Sequence, residues 1–331
     1  MQTQLMAQDQ QAAAGRLVAV VVTYNRLDHL RLTLSRLLES PPGLLEAVVV
    51  VDNASTDGTG AWLDAQDDPR LAVLRQAMNL GGAGGFEAGM RHATERFDPD
   101  WIVVMDDDAR PEPGALAAFH ASDPVQWDAV AGAVYYPDGR ICDMNRPSVN
   151  PFWNLPVFLR SLLGGGREGF HMRPPDYEKP PRQVHISSFV GLFLSRAAIC
   201  RAGYPDPRLF VYGDDGIYTL GLSAGGGRIG FVPGIRFEHD CSTFDGQRGR
   251  FRPIWKTYYY HRNLLLLYRL AAGRLFWPAL LVVLPKWLMK VRHHSGERGV
   301  FLRLLWLAVR HGLARRTTIA HDEVLRRAGL G

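Results

Sequence analysis

Short apolar runs alternate with amphipathic stretches through the first two thirds of the chain. The runs 17–23 (LVAVVVT), 47–51 (AVVVV), 71–74 (LAVL) and 101–105 (WIVVM) are mostly valine-rich, and each is followed by turn residues. At this length, β-branched runs bounded by turns read as buried parallel strands. Between them, 27–39, 58–66 and 85–97 carry apolar residues at helical spacing. The order β-α-β-α-β-α-β predicts an α/β fold, an open sheet with helices on both faces. Residues 137–182, rich in Pro, Gly and Arg, predict an irregular excursion holding one apolar stretch, 152–163. Regular structure resumes at 184–195 as a strand pair or one long strand. A helix starts near Asp214, and a strand at 228–232 leads to Glu238, His239 and Asp240.

Past Gly246 the pattern changes to leucine, aromatic and basic residues, and 254–270, 275–291 and 300–310 predict successive helices. The most apolar uninterrupted piece, 275–285, is eleven residues long and contains two prolines. A bilayer needs about 20 residues, so no transmembrane helix is expected. The charge follows the same division. Residues 246–331 hold 17 Lys/Arg against 3 Asp/Glu, leaving 21 of the 38 basic and 30 of the 33 acidic residues for 1–245. A basic, amphipathic helical region behind an acidic body suits an anionic membrane surface, and equally a subdomain packed on the sheet with a solvated outer face. Nucleic acid is not expected as a partner, because no recognition motif accompanies the charge. Apolar faces in the same helices leave room for a homo-oligomer.

Of 331 residues, 47% are hydrophobic and 21% charged, which excludes wholesale disorder. Three cysteines, Cys142, Cys200 and Cys241, form no CxxC and are far apart in sequence. A disulfide framework or structural zinc site is not expected, and a reducing compartment fits. Residues 1–15 lack the basic start and apolar core of a signal peptide and read as a disordered tail.

Ligands of open α/β sheets bind at the carboxyl ends of strands, here 23–26, 52–58, 79–86 and 106–108. A dinucleotide site needs glycines after the first strand, where this chain has Thr-Tyr-Asn-Arg, and no GxxxxGK[ST] loop occurs. Three consecutive aspartates repel one another and call for a cation; hard oxygen donors suit Mg²⁺ or Mn²⁺. In extended backbone Asp106 and Asp108 share one face. Asp52 is placed either to accept hydrogen bonds from a ribose or base, or to act as a turn or cap residue. Asp214 and Asp215 offer either a carboxylate for proton abstraction or a helix N-cap. His239 lies between two acids at a strand end, as a structural histidine or a ligand.

The segments VVVTYNR, VVDNASTDGT, NLGGAGGFEAGM and MDDDARPEPGAL, followed by FVGLFLSRAAICRAGYPDPRLFVYGDD and VPGIRFEH, resemble the inverting glycosyltransferases of family 2 over about residues 16–245. GGAGGF and KTYYYHRN are similar to the galactofuranosyl- and rhamnosyltransferase branches that build bacterial surface glycans. The resemblance implies a GT-A fold, Mn²⁺ or Mg²⁺, and a nucleotide-sugar donor of the UDP-galactofuranose or dTDP-rhamnose type. It implies a glycan or polyprenyl-linked acceptor, and a cytoplasmic location peripheral to the inner face of the plasma membrane. By the same resemblance, Thr23, Asn25, Arg26, Asp52, Asn79, Gly82 and Asp107 hold the donor. Asp106, Asp108 and His239 hold the metal, and Asp215, with Asp214 beside it, is the catalytic base. The implied domains are 16–245, catalytic, and 246–331, helical. Relatives carry an aromatic residue where this chain has Gly213, and an arginine where it reads Thr219-Leu220-Gly221. Those departures bear on the acceptor pocket and keep a non-catalytic glycan- or nucleotide-binding scaffold as the alternative. A sugar-nucleotide pyrophosphorylase would need a glycine-rich basic loop after the first strand, which is missing.

Overall fold

The computed structural model describes residues 15–241 and 250–330. The tail expected over 1–15, Gly15 excepted, and the domain boundary expected at 245/246 lie outside the described residues. Nine strands form one mixed sheet: β1 (Leu17–Thr23), β2 (Ala47–Asp52), β3 (Leu71–Arg75), β4 (Trp101–Asp106), β5 (Ala109–Pro111), β6 (Ala129–Tyr135), β7 (Arg182–Val184), β8 (Leu192–Ser195) and β9 (Ile229–His239). Their order is β3-β2-β1-β4-β8-β6-β9-β5, with β7 paired to β9. The first four strands are mutually parallel; β8 is antiparallel to β4 and β6, and β9 is parallel to β6. All seven residues of β1 are buried. Leu17, Ala19 and Val21 enter one core, and Val18, Val20 and Val22 the other. A strand covered on both faces needs no polar alternation, which is why these runs are continuously apolar.

The sheet is flanked by α1 (Leu27–Leu38), α2 (Thr59–Asp64), α3 (Gly81–Phe97), α4 (Ala115–Ala121), α5 (Leu155–Arg160), α6 (Arg196–Ala202) and α7 (Asp214–Ala224). Helix α3 starts four residues before the apolar spacing indicates, so GGAGG is its first turn and not a loop. Glycine is a poor helix former, and close approach to the sheet explains its use here. A Cβ on Gly85 would lie 2.5 Å from Val22 Cγ1, and one on Gly89 2.5 Å from Val20 Cγ1 and 2.7 Å from Val51 Cγ2. The sequence pattern does not announce β5, β6, α4 or α6. Strand β6 (AVAGAVY) is rich in small residues, and it is a strand because β8 and β9 pair with both its edges. The region 184–195 resolves into β7 and β8 with irregular backbone between, and 228–232 extends to the eleven-residue β9.

Four further helices follow: α8 (Lys256–Ala272), α9 (Phe276–Met289), α10 (Arg298–Leu313) and α11 (His321–Ala328). They share a third core, against which Phe210 and Val211 also pack. The rejection of a membrane-crossing helix on length is corrected here. That argument took 275–285 alone, whereas the helical run Lys256–His293 spans 38 residues and holds an 18-residue window of mean hydropathy 1.5, long and apolar enough by length and composition to cross a bilayer. The run is interrupted at Gly273, whose φ of 51° ends α8, and only 22% of the window is buried in the protein.

Filling the contact between α3 and β1 tests this packing. Gly89→Val should lower stability by roughly 1–3 kcal/mol, since overpacking must displace Val20 and Val51. The urea midpoint measures the loss. Gly82→Ala, whose Cβ meets nothing within 4 Å, should show none.

Candidate functional site

Strand register sets the site. Thr23 pairs with Asp52 and Val22 with Asp106, so β1, β2 and β4 end along one edge. The chain turns through Asp107 and Asp108 into β5, which pairs with the far end of β9 so that Ala109 faces His239. Asp240 N donates to Asp108 O at 2.8 Å and locks that corner. His239 Nε2 comes within 3.1 Å of Asp108 Oδ1 across 131 residues of sequence. One ligand atom each from Asp106, Asp108 and His239 lies within 4.8 Å of the others. Asp107 turns elsewhere: Thr23 Oγ1 donates to its Oδ2 at 2.7 Å, and Arg26 Nη1 lies 3.3 Å from its Oδ1. The same Arg26 nitrogen donates to Asp108 Oδ2 at 2.6 Å. Thr23 and Arg26, implied at the nucleotide, thus direct polar atoms to the aspartates.

Burial, reinforced by the neighbouring Asp108, pushes the Asp106 carboxyl up to about 7. Burial likewise raises Asp107 to about 6 against the opposing charge of Arg26. Burial would raise Asp108 too, but hydrogen bonding and charge from His239, with help from Arg26, hold it below the ordinary carboxylate range. Burial, the largest single influence, would lower His239, but hydrogen bonds to Asp108 and Cys142 and the charges of Asp108 and Asp106 together outweigh it and lift it to about 10. The other ring nitrogen, Nδ1, is 2.8 Å from Asn145 Oδ1. An amide oxygen only accepts, so Nδ1 carries a hydrogen and Nε2 faces the carboxylates. Crowded carboxylates and a histidine nitrogen within 4.8 Å of one another form a donor set that fits Mn²⁺ or Mg²⁺.

Asp214 and Asp215 occupy the first turn of α7, and the N-cap is Gly213, with φ 72°. The N-cap alternative for this pair is therefore corrected: both carboxylates lie inside the helix. Asp215 Oδ1 accepts from Gly216 N at 2.6 Å. Burial raises Asp215 to about 6 and Asp214 well above the ordinary range, and the charge of Asp215 adds to the push on Asp106. The preceding loop is strained, with Phe210 and Tyr212 both at φ 67°, and such residues persist only where the surroundings over-determine them. Helix α8 does so. Asn263 Nδ2 donates to the carbonyls of Leu209 (3.0 Å), Val211 (3.0 Å) and Tyr212 (2.8 Å). Arg262, fully buried, donates to Arg208 O at 3.0 Å and Leu209 O at 2.8 Å, its guanidinium over the Tyr258 and Tyr259 rings. Ala83 N, at the start of α3, donates to Phe210 O at 3.1 Å. Gly213 thus takes a conformation that an aromatic side chain would adopt only at a cost.

A cleft of about 390 Å³ opens over this edge, lined by Tyr24, Asn53, Asn79, Gly82, Tyr212 and Lys256 besides Asp106, Asp107 and Asp108. Asn53 organises one wall, donating to Asn79 Oδ1 at 3.1 Å and Gly81 O at 3.0 Å and accepting from Leu80 N at 2.9 Å. Asp52 is only 4% exposed, and its Oδ1 accepts from Ser55 N at 2.9 Å, the turn role anticipated as its alternative. Asn25 accepts from Thr56 N at 2.6 Å and joins the first two loops beside a separate hollow with Asp57. Sequence reasoning passed over Asn53, Asn145, Tyr212, Lys256 and Asn263. Asn263 stands in KTYYYHRN and Asn53 follows Asp52, but Asn145 lies in the irregular excursion with no signal of its own. Cys142 and Cys241, distant in sequence, are neighbours in space with Sγ atoms 3.8 Å apart, contrary to the expectation of three unrelated cysteines.

Residues 18–167 match the profile of glycosyl transferase family 2. The undecaprenyl-phosphate mannosyltransferase of Micrococcus luteus is 34% identical over 151 residues, 45% of this chain and 60% of that protein. The match thus spans less than two thirds of that relative's length. The galactofuranosyltransferase GlfT1 of Mycobacterium tuberculosis is 28% identical over 240 residues, 71% of this chain and 72% of that one. Among solved structures, a mannosyltransferase from Pyrobaculum calidifontis, in complex with GDP-Man and Mn²⁺, superposes with a TM-score of 0.55 at 18% identity, covering 99% of this chain and 93% of that one. The chain carries a glycosyl transferase family 2 domain over residues 18–167, built on a GT-A fold.

Proposed function

We propose that this chain is a divalent-cation-dependent, inverting glycosyltransferase that moves a sugar from a nucleotide diphosphate donor to a lipid-linked glycan at the cytoplasmic face of a bacterial membrane. The observation that carries this reading is the convergence of Asp106, Asp108 and His239 in one cleft at the carboxyl ends of the parallel strands. Asp106, Asp108 and His239 would hold the cation, which supplies Lewis-acid stabilisation of the departing diphosphate. Arg26 and Lys256 line the same cleft and bring further positive charge to the diphosphate. Asn53, Asn79 and Tyr24 offer polar edges to the nucleoside. Asp215, raised by burial toward neutrality, accepts the proton of the acceptor hydroxyl; with Oδ1 taken by Gly216 N, the proton goes to Oδ2. Inversion requires that hydroxyl on the ring face opposite the leaving group. The α7 loop places the base on a different element from the cation site, which suits that geometry.

A donor of the UDP-galactofuranose or dTDP-rhamnose type, and a role in surface polysaccharide synthesis, are supported by the likeness to GlfT1. A polyprenyl-linked acceptor is supported by the relative whose name carries undecaprenyl phosphate. The C-terminal helices supply the membrane surface: Trp277, Leu281, Leu288 and Met289 on α9 and Trp306 on α10 are exposed, with Lys286, Arg303 and Arg310 among them. Residues 15–241 would form the catalytic domain and 250–330 the helical region that completes its cleft and meets the membrane.

Asp215→Asn should lower kcat by roughly 10²–10⁴-fold and leave donor affinity within about twofold, read by transfer kinetics beside donor titration. Unchanged kcat overturns the base assignment. For the wild type, kcat should fall as pH drops below about 6, because the base is then protonated. EDTA should abolish transfer and Mn²⁺ or Mg²⁺ restore it, and donor at about 100 times Kd should stabilise the protein by about 2.7 kcal/mol only with the cation present. On flotation with anionic vesicles, the protein should rise with the lipid at low salt, each basic residue near the surface adding about 1 kcal/mol. Release by alkaline carbonate marks docking, whereas retention marks a spanning segment.

A further inference from the structure

Behind the carboxylate site lies a second group of ligating atoms. β9 ends at His239, and Cys241 follows two residues later, where extended backbone returns a side chain to the same face. Cys142 N donates to Val134 O at 2.9 Å, which seats this cysteine beside β6, the neighbour of β9. Both thiols are buried and neither is in a disulfide. Their Sγ atoms are 3.8 Å apart, and Cys142 Sγ is 4.0 Å from His239 Nδ1. The three ligand atoms lie within 4.8 Å of one another. Two thiolates on one tetrahedral zinc ion, at Zn–S of about 2.3 Å, stand about 3.8 Å apart, whereas a disulfide needs about 2.05 Å. Asn145 Oδ1 lies 2.9 Å from Cys142 Sγ and 2.8 Å from His239 Nδ1, the nearest oxygen for a fourth position.

We propose that Cys142 Sγ, Cys241 Sγ and His239 Nδ1 form a site for zinc or a similar thiolate-seeking divalent cation, back to back with the carboxylate site and sharing its histidine. Thiolates select zinc, while carboxylates take Mg²⁺ and Mn²⁺. Binding releases the two thiol protons to solvent. The hydrogen that His239 Nδ1 gives to Asn145 is released to solvent as well, and the neutral ring bound through Nδ1 keeps its hydrogen on Nε2, donated to Asp108. An Nε2–H has no lone pair for a cation on Asp106 and Asp108, so zinc behind the histidine opposes the ion in front of it. The opposition rests on the cation-binding reading of Asp106 and Asp108; the thiolate site does not.

Cobalt(II) titration of the full-length, chelator-treated protein tests both. The expected result is a near-ultraviolet thiolate-to-cobalt charge-transfer band at one equivalent, removed by one equivalent of zinc. The band should persist in Cys200→Ser and in Asp106→Asn/Asp108→Asn, and vanish in Cys142→Ser and in Cys241→Ser. One equivalent of zinc should weaken Mn²⁺ binding, read by electron paramagnetic resonance, at least tenfold in the wild type and leave it unchanged in Cys142→Ser. Absence of the band in the wild type, its survival in both cysteine variants, or a Cys142–Cys241 disulfide in anaerobically purified protein overturns the site. A band with unweakened Mn²⁺ binding keeps the site and overturns the opposition.

Discussion

Like charges gathered out of water dominate this structure. Asp106, Asp107 and Asp108 leave one strand together, and Asp214 and Asp215 approach from a helix start; burial raises four of the five well above the ordinary carboxylate range. Uncompensated, such a group would not stay ionised. The compensation explains the local architecture. Arg26 spans Asp107 and Asp108, His239 meets Asp108 as well from the far end of β9, and the first turn of α7 offers its N–H groups to the last pair. What these fixed groups leave unbalanced is an electrostatic demand that a divalent cation would meet.

Precision in that arrangement comes from the C-terminal helices as much as from the sheet. The loop before Asp214 holds two non-glycine residues at positive φ, and five side-chain bonds from Arg262 and Asn263 keep it there. Burying a guanidinium completely is tolerable because its donors meet carbonyls and its face meets two tyrosine rings. The basic, apolar region is therefore mechanically continuous with the loop that leads into Asp214 and Asp215. Trp255, Lys256 and His321 also line the cleft, so the division of charge between the two parts of the chain is not a division of the site.

The departures from the family pattern acquire a physical meaning in this setting. Gly213 is the left-handed N-cap of α7, in a loop pinned by Asn263, and a Cβ there would meet only Asn263 Cβ at 3.7 Å. Backbone conformation, more than space, makes glycine fit. Thr219 is buried and bonds to Asp215 O at 2.7 Å, steadying the turn that holds the carboxylate, while Gly221 faces open space. These positions support the acidic pair, which weakens the case for a scaffold that has lost its chemistry.

Much of the fold was legible because its information is local. Valine runs with buried flanks mark β1, β2 and β4, helical spacing marks α1 to α3, and the aspartate run marks the acidic strand end; Asp106 and Asp108 meet through the turn that follows β4, and not through the extended backbone expected for them. Other features have no local signature. β6 is a strand only because two neighbours claim its edges. His239 reaches Asp108, Cys142 reaches Cys241, and Asn263 reaches the Tyr212 carbonyl through contacts between residues 51 to 131 positions apart. The sequence by itself determined the parallel strands β1 to β4, the clustering of acids at their carboxyl ends and the basic character of the tail, since periodicity and strand-end chemistry act over a few residues. Only tertiary structure decided which nitrogen of His239 faces the acids, which thiols meet and what grips the α7 loop, because those depend on register and packing between distant segments.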